Sequence, residues 1–369
     1  MLFYKEKGES AIGIFSHEEV ACTAKWGKIR SMKRRATIAE IASAAGVSIP
    51  TVSKVLNQRA DVAVATRLRV QQVMEEMGYV PNQAARALGG GRSGLIDLII
   101  SKPLDSEYFL EIIRGIEEVL HREGKSMVLS IVQEEADLER LDQVVNRSAD
   151  GALLLLPRLY HDSVKKLQEH ALPFVVIDPS VPLDPLIPSV GTTNRSGGFA
   201  ATRYLLSLGH RRIGIIADTE HYLMAYERFA GYRSALEMHG IPLDPALVYQ
   251  GNFHPEDGLE QTNALLALDN PPTAIFAGSD WQAAGAYRAV YAHGLAIPDD
   301  ISVIGFDDVP LSRWLNPPLT TIRQPLQEMG RMATTMLLKL LAGEPLETTR
   351  VELASLLVIR ESCAPHMAV

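Results

Sequence analysis

The sequence predicts an α/β protein in which a small all-helical N-terminal domain precedes a core of two doubly wound parallel sheets. Residues 37–78 show only helical periodicity. From residue 95 onward, short apolar runs alternate with helical patterns, which is the order found in right-handed βαβ units and open parallel sheets. About 275 residues of this kind are long for one such sheet, so we expect two lobes.

Three capped helices are expected in the N-terminal domain. Thr37 and Glu40 have the spacing of a capping box, and Gly46 follows the end of this first helix. Ser48 is placed to cap a second helix. A third helix follows and stops at Gly78.

The turn between the first two helices is typical of a helix-turn-helix. Ala42 stands four positions before Gly46, so the small residue allows close helix approach and the glycine permits a positive φ. The alternative is an ordinary three-helix packing module, because this spacing alone is common. The residues expected inside are Ile38, Ile41, Ala45, Val47, Val52 and Val55. Those expected outside on the second helix are Ile49, Pro50, Thr51, Ser53, Lys54 and Asn57.

Charge is distributed unevenly along the chain. The net charge of −8 alone would argue against a nucleic-acid partner. Residues 32–94, however, carry nine Lys and Arg against four Asp and Glu, a balance of +5. Residues 95–369 carry 22 against 36, a balance of −14. A basic head on an acidic body favours DNA as the partner of the head.

Composition excludes several other classes of protein. No run of eighteen apolar residues could span a membrane, and the N-terminal apolar run Ala11–Phe15 is too short for a secretory signal. The two cysteines, Cys22 and Cys363, support neither a disulfide framework nor a metal cluster, so we expect a reducing cytoplasm and no metal.

The expected domains follow from these patterns. Residues 1–35 lack a sustained period and are expected to be an unstructured extension, or else translation begins at Met32. The helix-turn-helix domain is expected over 36–80, a hinge helix and glycine-rich joint over 81–93, and the core over 94–369. In the core, one lobe is expected over about 94–191 and 323–352, and the other over about 192–322 and 353–365.

Seven buried strands and four helices are expected in the core. The strands are Leu95–Ile100, Ser126–Val132, Gly151–Leu156, Pro173–Ile177, Ile213–Ala217, Ala274–Ala277 and Ser302–Phe306. The helices are Phe109–Glu123, Gly197–Leu208, Glu227–His239 and Ala283–His293.

Polar side chains directly after these strands are candidate ligand groups, because two-lobed parallel-sheet proteins bind ligands at the carboxyl ends of their strands. Asp178, Ser279 and Asp307 occupy such positions, and Arg228 opens a helix. A carboxylate accepts hydrogen bonds from vicinal hydroxyls and an Arg donates to them, which suits a sugar. Asp280 and Asp308 are expected to cap helices instead. Trp281 and Trp314 either line the cleft or pack.

Five groups of motifs closely resemble the lactose-repressor (LacI) family. The first is the head Ala36–Asn57 with Gly78–Asn82 and Ala85–Leu88. The others lie in the body, at Tyr204–Ile213, Arg228–Tyr232, Ile301–Asp308 and Pro318–Pro325. The resemblance runs from residue 36 nearly to the C-terminus and extends to repressors of carbohydrate utilisation. It implies a hinge helix and a periplasmic-binding-protein-like core.

The resemblance also implies roles in DNA binding. Ile49, Pro50 and Lys54 would face bases in the major groove, where Lys54 can reach a guanine or a phosphate. The first turn and flanks of the helix would contact phosphates through Thr37, Ser48, Thr51, Ser53 and Asn57. In the hinge, Asn82, Ala85 and Leu88 would enter the minor groove, with Leu88 inserted between base pairs. The alternative is a plain linker helix whose leucine faces protein.

For the effector, the resemblance assigns contacts to Arg228 and Asp307 and ring stacking to Tyr108, Phe109 and Phe253. Ser279 stands where many relatives carry Asn, which leaves that contact open, and Asp178 can serve the ligand or the fold. No cofactor is implied.

The sequence therefore predicts a cytoplasmic, homodimeric repressor that binds a pseudo-palindromic operator and is released by a sugar or small glycoside. The dimer is expected because the chain ends at Val369 without a leucine heptad segment. Corepression is allowed by the same architecture. The body alone would also fit a solute-binding protein, and an α/β enzyme such as a sugar kinase is the other rival, although no catalytic or phosphate-binding motif is visible.

Overall fold

A computed structural model describes residues 36–56, 59, 61–79, 93–101, 107–132, 149–155, 167, 169, 172–217 and 222–366. The chain divides into two compact units, Met1–Arg86 and Ala87–Val369. Within the described ranges, no helix is both long and apolar enough to cross a membrane.

The N-terminal unit contains α1 (Ile38–Ala44), α2 (Ile49–Leu56) and α3 (Val64–Glu76). The predicted capping box is present, since the Glu40 amide donates to Thr37 Oγ1 and the Thr37 amide donates to Glu40 Oε2. Gly46 has φ +61°, and the Val47 amide reaches the Ala42 carbonyl at 3.0 Å, so a Schellman turn ends α1.

The core of this unit confirms the helix-turn-helix arrangement. Ile41, Val52 and Val70 are fully buried, one from each helix, with smaller residues around them. Ser48 caps α2, because the Thr51 amide donates to its Oγ at 3.3 Å. Ile49, Pro50 and Lys54 of α2 lie outside this core and are exposed.

The first lobe of the C-terminal unit is a six-stranded parallel sheet in the order β11-β5-β4-β3-β1-β2. Its strands are β1 (Leu95–Ser101), β2 (Ser126–Val132), β3 (Gly151–Leu155), β4 (Phe174–Ile177), β5 (Ser189–Thr192) and β11 (Arg350–Leu353). Within the described residues, two helices pack on it, α4 (Glu107–Arg122) and α9 (Leu326–Ala342).

The second lobe is a six-stranded sheet in the order β12-β10-β9-β8-β6-β7, parallel except for the edge strand β12. Its strands are β6 (Ile213–Ile216), β7 (Val248–Tyr249), β8 (Ala274–Ala277), β9 (Ser302–Asp307), β10 (Thr320–Arg323) and β12 (Leu356–Val358). Its helices are α5 (Asn194–Ser207), α6 (Leu223–Met238), α7 (Pro255–Leu266) and α8 (Asp280–Ala292). The predicted class, two doubly wound sheets behind a helical head, is confirmed.

The chain crosses between the two sheets three times. It leaves the first sheet after β5 and enters α5, returns after β10 into α9, and leaves again between β11 and β12. The crossovers are therefore residue 193, residues 324–325 and residues 354–355. Each one directly follows the carboxyl end of a strand, which is where ligands bind in such folds.

Helices on the second lobe approach each other closely through glycines. A Cβ on Gly198 of α5 would lie 2.1 Å from the Arg228 carbonyl oxygen, and one on Gly231 of α6 would lie 2.1 Å from the Arg195 oxygen. Real Cβ atoms do not come within 3.0 Å of other heavy atoms. The two glycines thus determine how far α6, and with it Arg228, stands from α5.

Candidate functional site

The exposed face of α2 carries the side chains predicted to contact DNA. Ile49 is 48% exposed, and Pro50 and Lys54 are exposed beside it. Lys54 Nζ lies 2.8 Å from Asp61 Oδ2, and this ion pair lowers the pKa of the Asp61 carboxyl. Because both groups are about half exposed, the pair stabilises the head only weakly and a phosphate can replace Asp61.

The remaining predicted DNA contacts have different environments. The hydroxyls of Ser48 and Thr51 lie 2.9 Å apart within the cap of α2, and that of Thr37 donates to Glu40. Ser53 is half-buried on the same helix. Asn57, Asn82, Ala85 and Leu88 lie outside the described residues.

In the C-terminal unit, the predicted effector residues converge on the strand ends of the two sheets. Asp178 follows β4, Asp307 ends β9, and Ser279 follows β8. The Tyr108 hydroxyl donates to Asp178 Oδ2 at 2.6 Å. Arg228 faces Asp307, with 3.7 Å between its NH2 and Oδ1. These contacts place two carboxylates and one guanidinium around a shared cleft.

Arg228 is 2% exposed, and its guanidinium is fixed by hydrogen bonds and ring contacts. Its Nε donates to Asn194 Oδ1 at 2.8 Å and its NH1 donates to the Gly278 carbonyl at 2.5 Å. Its Cζ lies 3.8 Å from the Phe306 ring centroid and 5.6 Å from that of Phe253. These contacts use two of the five N–H donors, while NH2 lies 3.7 Å from Asp307 Oδ1.

Both site carboxylates are buried on strained backbone. Asp178 has φ +49° and Asp307 has φ +120°, in a region that side-chain-bearing residues rarely adopt. Burial raises the pKa of Asp307 to about 7, against the opposing effects of Arg228 and of the hydrogen bond from Gln324. Burial likewise raises the pKa of Asp178, opposed by Tyr108 and Arg228. The site therefore holds two buried carboxyls, each of which accepts a side-chain hydrogen bond, from Tyr108 and Gln324 respectively.

An aromatic wall adjoins the charged groups. The Phe253 ring packs 5.3 Å from the Tyr222 ring, which the sequence did not single out. Phe109, in contrast, lies in the apolar core of the first lobe with its ring at a right angle to Tyr108. Phe253 therefore remains a candidate for stacking on a ligand ring, whereas Phe109 packs against Tyr108 within the core.

The expectations for the caps at the site need correction. Ser279, not Asp280, is the N-cap of α8, because its hydroxyl accepts from the Gln282 amide at 3.1 Å. Asp280 is fully buried and accepts from the Thr321 hydroxyl at 2.5 Å and from the Val309 amide at 2.9 Å. Its carboxyl links β10 to the loop after β9.

Asp308 also does not cap a helix. Its carboxylate pairs with Arg360 and with Arg323, the latter at 2.6 Å, and accepts from the Ser312 hydroxyl. These partners hold the pKa of Asp308 below its usual range. Trp314, one of the two tryptophans left open, is 84% exposed.

Two residues of the site were missed by the sequence interpretation. Asn194 accepts from Arg228, and Gln324 Nε2 donates to Asp307 Oδ1 at 2.6 Å. Both follow short strands, β5 and β10, that the apolar pattern did not reveal. Had those strands been recognised, the position of both residues after a strand end would have marked them. Among the residues described, no group of three or more His, Cys, Asp or Glu side chains could hold a metal ion.

Comparison with known proteins assigns the family. Residues 37–82 match the bacterial regulatory proteins of the lacI family, and residues 202–363 match the periplasmic binding protein-like domain. The chain is 36% identical to the HTH-type transcriptional repressor PurR of Pasteurella multocida, over 89% of this chain and 98% of that protein. It is also 36% identical to the repressor CytR of Escherichia coli K12, over 86% and 93%. This chain belongs to the LacI family.

Two solved structures are similar to this chain over about nine-tenths of its length. The CelR–cellobiose complex has a TM-score of 0.70 and 32% identity, over 89% of this chain and all of that one. The Lac repressor dimer bound to operator and the anti-inducer ONPF has a TM-score of 0.78 and 29% identity, over 90% of this chain and all of that one. As a LacI-family member, the chain is a DNA-binding transcriptional regulator.

Proposed function

We propose that this protein is a cytoplasmic, dimeric transcriptional repressor whose operator affinity is controlled by a neutral sugar or small glycoside. One observation carries the effector class. Asp178, Asp307 and Arg228 converge at the strand ends of two sheets, beside the Phe253 ring. Two acceptor carboxylates, a donor guanidinium and an aromatic face match the hydroxyls and the apolar face of a pyranose. The CelR–cellobiose complex supports the same class.

The charge of the site favours an uncharged ligand. Two carboxyls and one guanidinium give a net charge near −1 when both carboxyls are ionised, and burial already raises their pKa values. A phosphate group would add negative charge to this low-dielectric cleft. We therefore assign free sugars rather than sugar phosphates as effectors.

For DNA, the exposed face of α2 enters the major groove. Ile49 can contact a thymine methyl group, Lys54 can reach a guanine or a phosphate, and Pro50 contributes shape without a polar group. The proposal includes a minor-groove contact by Asn82, Ala85 and Leu88 and a phosphate contact by Asn57. A two-fold dimer would read two half-sites, as in the operator-bound Lac repressor dimer.

Control of operator binding follows as a shift between two lobe arrangements. The effector must bind one arrangement better than the other, because a ligand with equal affinity for both shifts nothing. A thousandfold loss of operator affinity requires about 4 kcal/mol of differential affinity. Hydroxyl contacts to groups from both lobes can supply this, since they exist together only in one arrangement. The relatives are repressors, so we infer regulation rather than catalysis.

The test has two arms that use the full-length protein. A gel shift on the upstream promoter region at low salt tests DNA binding, and retardation that weakens steeply with added salt is expected. A thermal-shift screen of free mono- and disaccharides, each paired with its phosphate ester, tests the effector class. If the DNA is retarded but no sugar changes the melting temperature, the sugar effector is contradicted. If the DNA is not retarded at all, the repressor function is contradicted.

A further inference from the structure

The two ionic groups of the cleft are hydrogen-bonded to the segments that join the lobes. Asn194 is the first residue of α5, directly after the crossover at residue 193, and its Oδ1 accepts from Arg228 Nε at 2.8 Å. Its Nδ2 donates to the Thr192 carbonyl at 3.3 Å, which belongs to the last residue of β5. One amide side chain thus connects Arg228 in the second lobe with the end of a strand in the first.

Gln324 does the same for Asp307 at the second crossover. Its side-chain Nε2 donates to Asp307 Oδ1 at 2.6 Å, and its backbone amide donates to the Asp307 carbonyl at 3.1 Å. Its own carbonyl accepts from the Leu326 amide at 2.9 Å, at the start of α9 in the first lobe. Gln324 is 4% exposed, and its Oε1 has no hydrogen-bond partner within the described part of the chain.

The third crossover is tied to the first. The Ser355 amide donates to Thr193 Oγ1 at 2.9 Å, and Ser355 Oγ donates to the Thr193 carbonyl at 3.1 Å. The Thr193 amide in turn donates to the Leu353 carbonyl at 3.0 Å. Because of these bonds, a movement of the chain at residue 193 also moves residues 353–355.

We propose that Asn194 and Gln324 are positioning residues that transmit the position of Arg228 and Asp307 to the inter-lobe crossovers. This inference rests on the proposed function, because it explains how a ligand held by those two groups changes the angle between the lobes. A ligand that draws Arg228 and Asp307 together moves the amides bonded to them. Each amide then rotates the backbone of its own crossover.

The chemistry of the two side chains fits this role. Asn194 directs its oxygen to a guanidinium and Gln324 directs its nitrogen to a carboxylate, and both of these ionic groups are distant in the sequence. Each amide therefore presents the complementary half of its dipole to one ionic group. The unpartnered Oε1 of Gln324 is expected to gain a donor when the lobes rearrange.

The first experiment measures coupling with cellobiose and D-ribose as probes. Operator affinity is measured without sugar and at saturating sugar, and their ratio is the coupling factor. Saturation removes any defect in sugar affinity, so a merely structural change leaves the ratio intact. We expect Asn194→Leu and Gln324→Leu to lower the ratio about tenfold or more. Asn194→Asp, which keeps an oxygen for Arg228 Nε, should retain it within about threefold.

Thr202→Val is the matched control. Thr202 is fully buried on α5, the helix that begins at Asn194. Its hydroxyl donates to the Gly198 carbonyl within the same helix and does not reach a crossover. This variant should lose stability and keep the coupling factor. A wild-type factor in both leucine variants overturns the inference, whereas loss of the factor in Thr202→Val as well shows that any buried polar deletion abolishes it and overturns the assignment too.

A second measurement needs no sugar. Hydrogen–deuterium exchange reports the protection of the Thr193 and Ser355 amides in the free protein, and Arg228→Met should accelerate exchange at both while Thr202→Val leaves it unchanged. Unchanged exchange in Arg228→Met overturns the inference even if neither sugar binds. If neither sugar binds the wild type but the exchange responds to Arg228→Met, the effector class fails and the positioning role stands.

Discussion

Replacing Gly231 by alanine should disturb both the second lobe and the cleft. The added Cβ would lie 2.1 Å from the Arg195 carbonyl oxygen and 2.5 Å from the Phe199 amide nitrogen, both of which are backbone atoms that no rotamer change can move. Separation to at least 3.0 Å requires α5 and α6 to part by about 1 Å. Overpacking of this kind costs about 1–3 kcal/mol.

The same displacement acts on the ligand site. Arg228 lies one helical turn before Gly231, and its hydrogen bonds to Asn194 and Gly278 are 2.8 Å and 2.5 Å long. A shift of about 1 Å lengthens both beyond useful range, so sugar affinity should fall along with stability. Differential scanning calorimetry and isothermal titration of the effector measure the two effects, with about 2–4 °C of Tm expected per kcal/mol.

Gly191→Ala provides the matched control. A Cβ there would meet only Pro179 Cδ at 3.7 Å, which is an ordinary contact, and the unfolded-state effect of the substitution is the same. The control should melt at or slightly above the wild-type temperature. If Gly231→Ala melts and binds like Gly191→Ala, the close approach of α5 and α6 does not determine the position of Arg228.

Three further predictions concern charge. Burial raises the pKa of Asp307 to about 7. Sugar affinity, measured by titration calorimetry, should therefore fall from pH 8 to pH 6 as this acceptor carboxylate gains a proton. In Asp307→Asn the sugar affinity should not change over the same pH range. The same carboxyl has a pKa near 3.8 in the unfolded chain, so between pH 3.8 and pH 7 the folded wild type binds a proton that the unfolded chain does not, and its stability falls as the pH rises. The stability of Asp307→Asn relative to wild type should therefore rise across this pH range, by up to roughly 4 kcal/mol in denaturant titrations. Lys54→Met should weaken operator binding and, if Lys54 contacts a phosphate, reduce the salt slope by about one, whereas Asp61→Asn should strengthen binding. Fluorescence anisotropy at several salt concentrations measures both effects. No change in either variant would show that Lys54 does not contact the operator. Asp308→Ala should destabilise the second lobe by about 3–5 kcal/mol, because it leaves the largely buried Arg360 without its carboxylate, and a Tm within about 1 °C of wild type would contradict that pairing.

The sequence predicted elements best where the apolar pattern was dense. Strands such as β1, β3 and β9 are mostly apolar and almost entirely buried, as is typical of parallel strands covered on both faces, and their positions were predicted to within one residue. Helix starts were predicted about three residues late for α5 and α8 and four late for α6. The first turns of α5 and α8 carry polar side chains such as Asn194, Asp280 and Gln282, so the apolar pattern of these two helices begins only after them. The first turn of α6 is apolar, and its early start has no such explanation.

Five strands, β5, β7, β10, β11 and β12, were missed, and two of them show the same limit. β5 is Ser-Val-Gly-Thr and β10 is Thr-Thr-Ile-Arg, and both are buried by the neighbouring strands and helices rather than marked by their own composition. Their ends carry Asn194 and Gln324. Local periodicity cannot show which short polar segment a distant strand will pair with, so those two residues could be recognised only from the folded chain. Asp178 and Asp307, in contrast, stand at the ends of apolar strands, where the sequence pattern singled them out.

The cleft contains several features that destabilise the free protein, unlike the apolar cores of the two lobes. Asp178, Asp307 and Asp308 all have positive φ, and Asp178 and Asp307 are buried carboxyls with raised pKa values. Each feature destabilises the free protein, by about 1–3 kcal/mol for such a backbone conformation, and the apolar cores of the two lobes must offset it. A ligand whose hydroxyls donate hydrogen bonds to the two carboxyls stabilises them, but it does not change the packing of the lobe cores. Its binding energy is therefore realised at the strand ends, where the crossovers begin, and this is the position from which a small displacement changes the angle between the lobes.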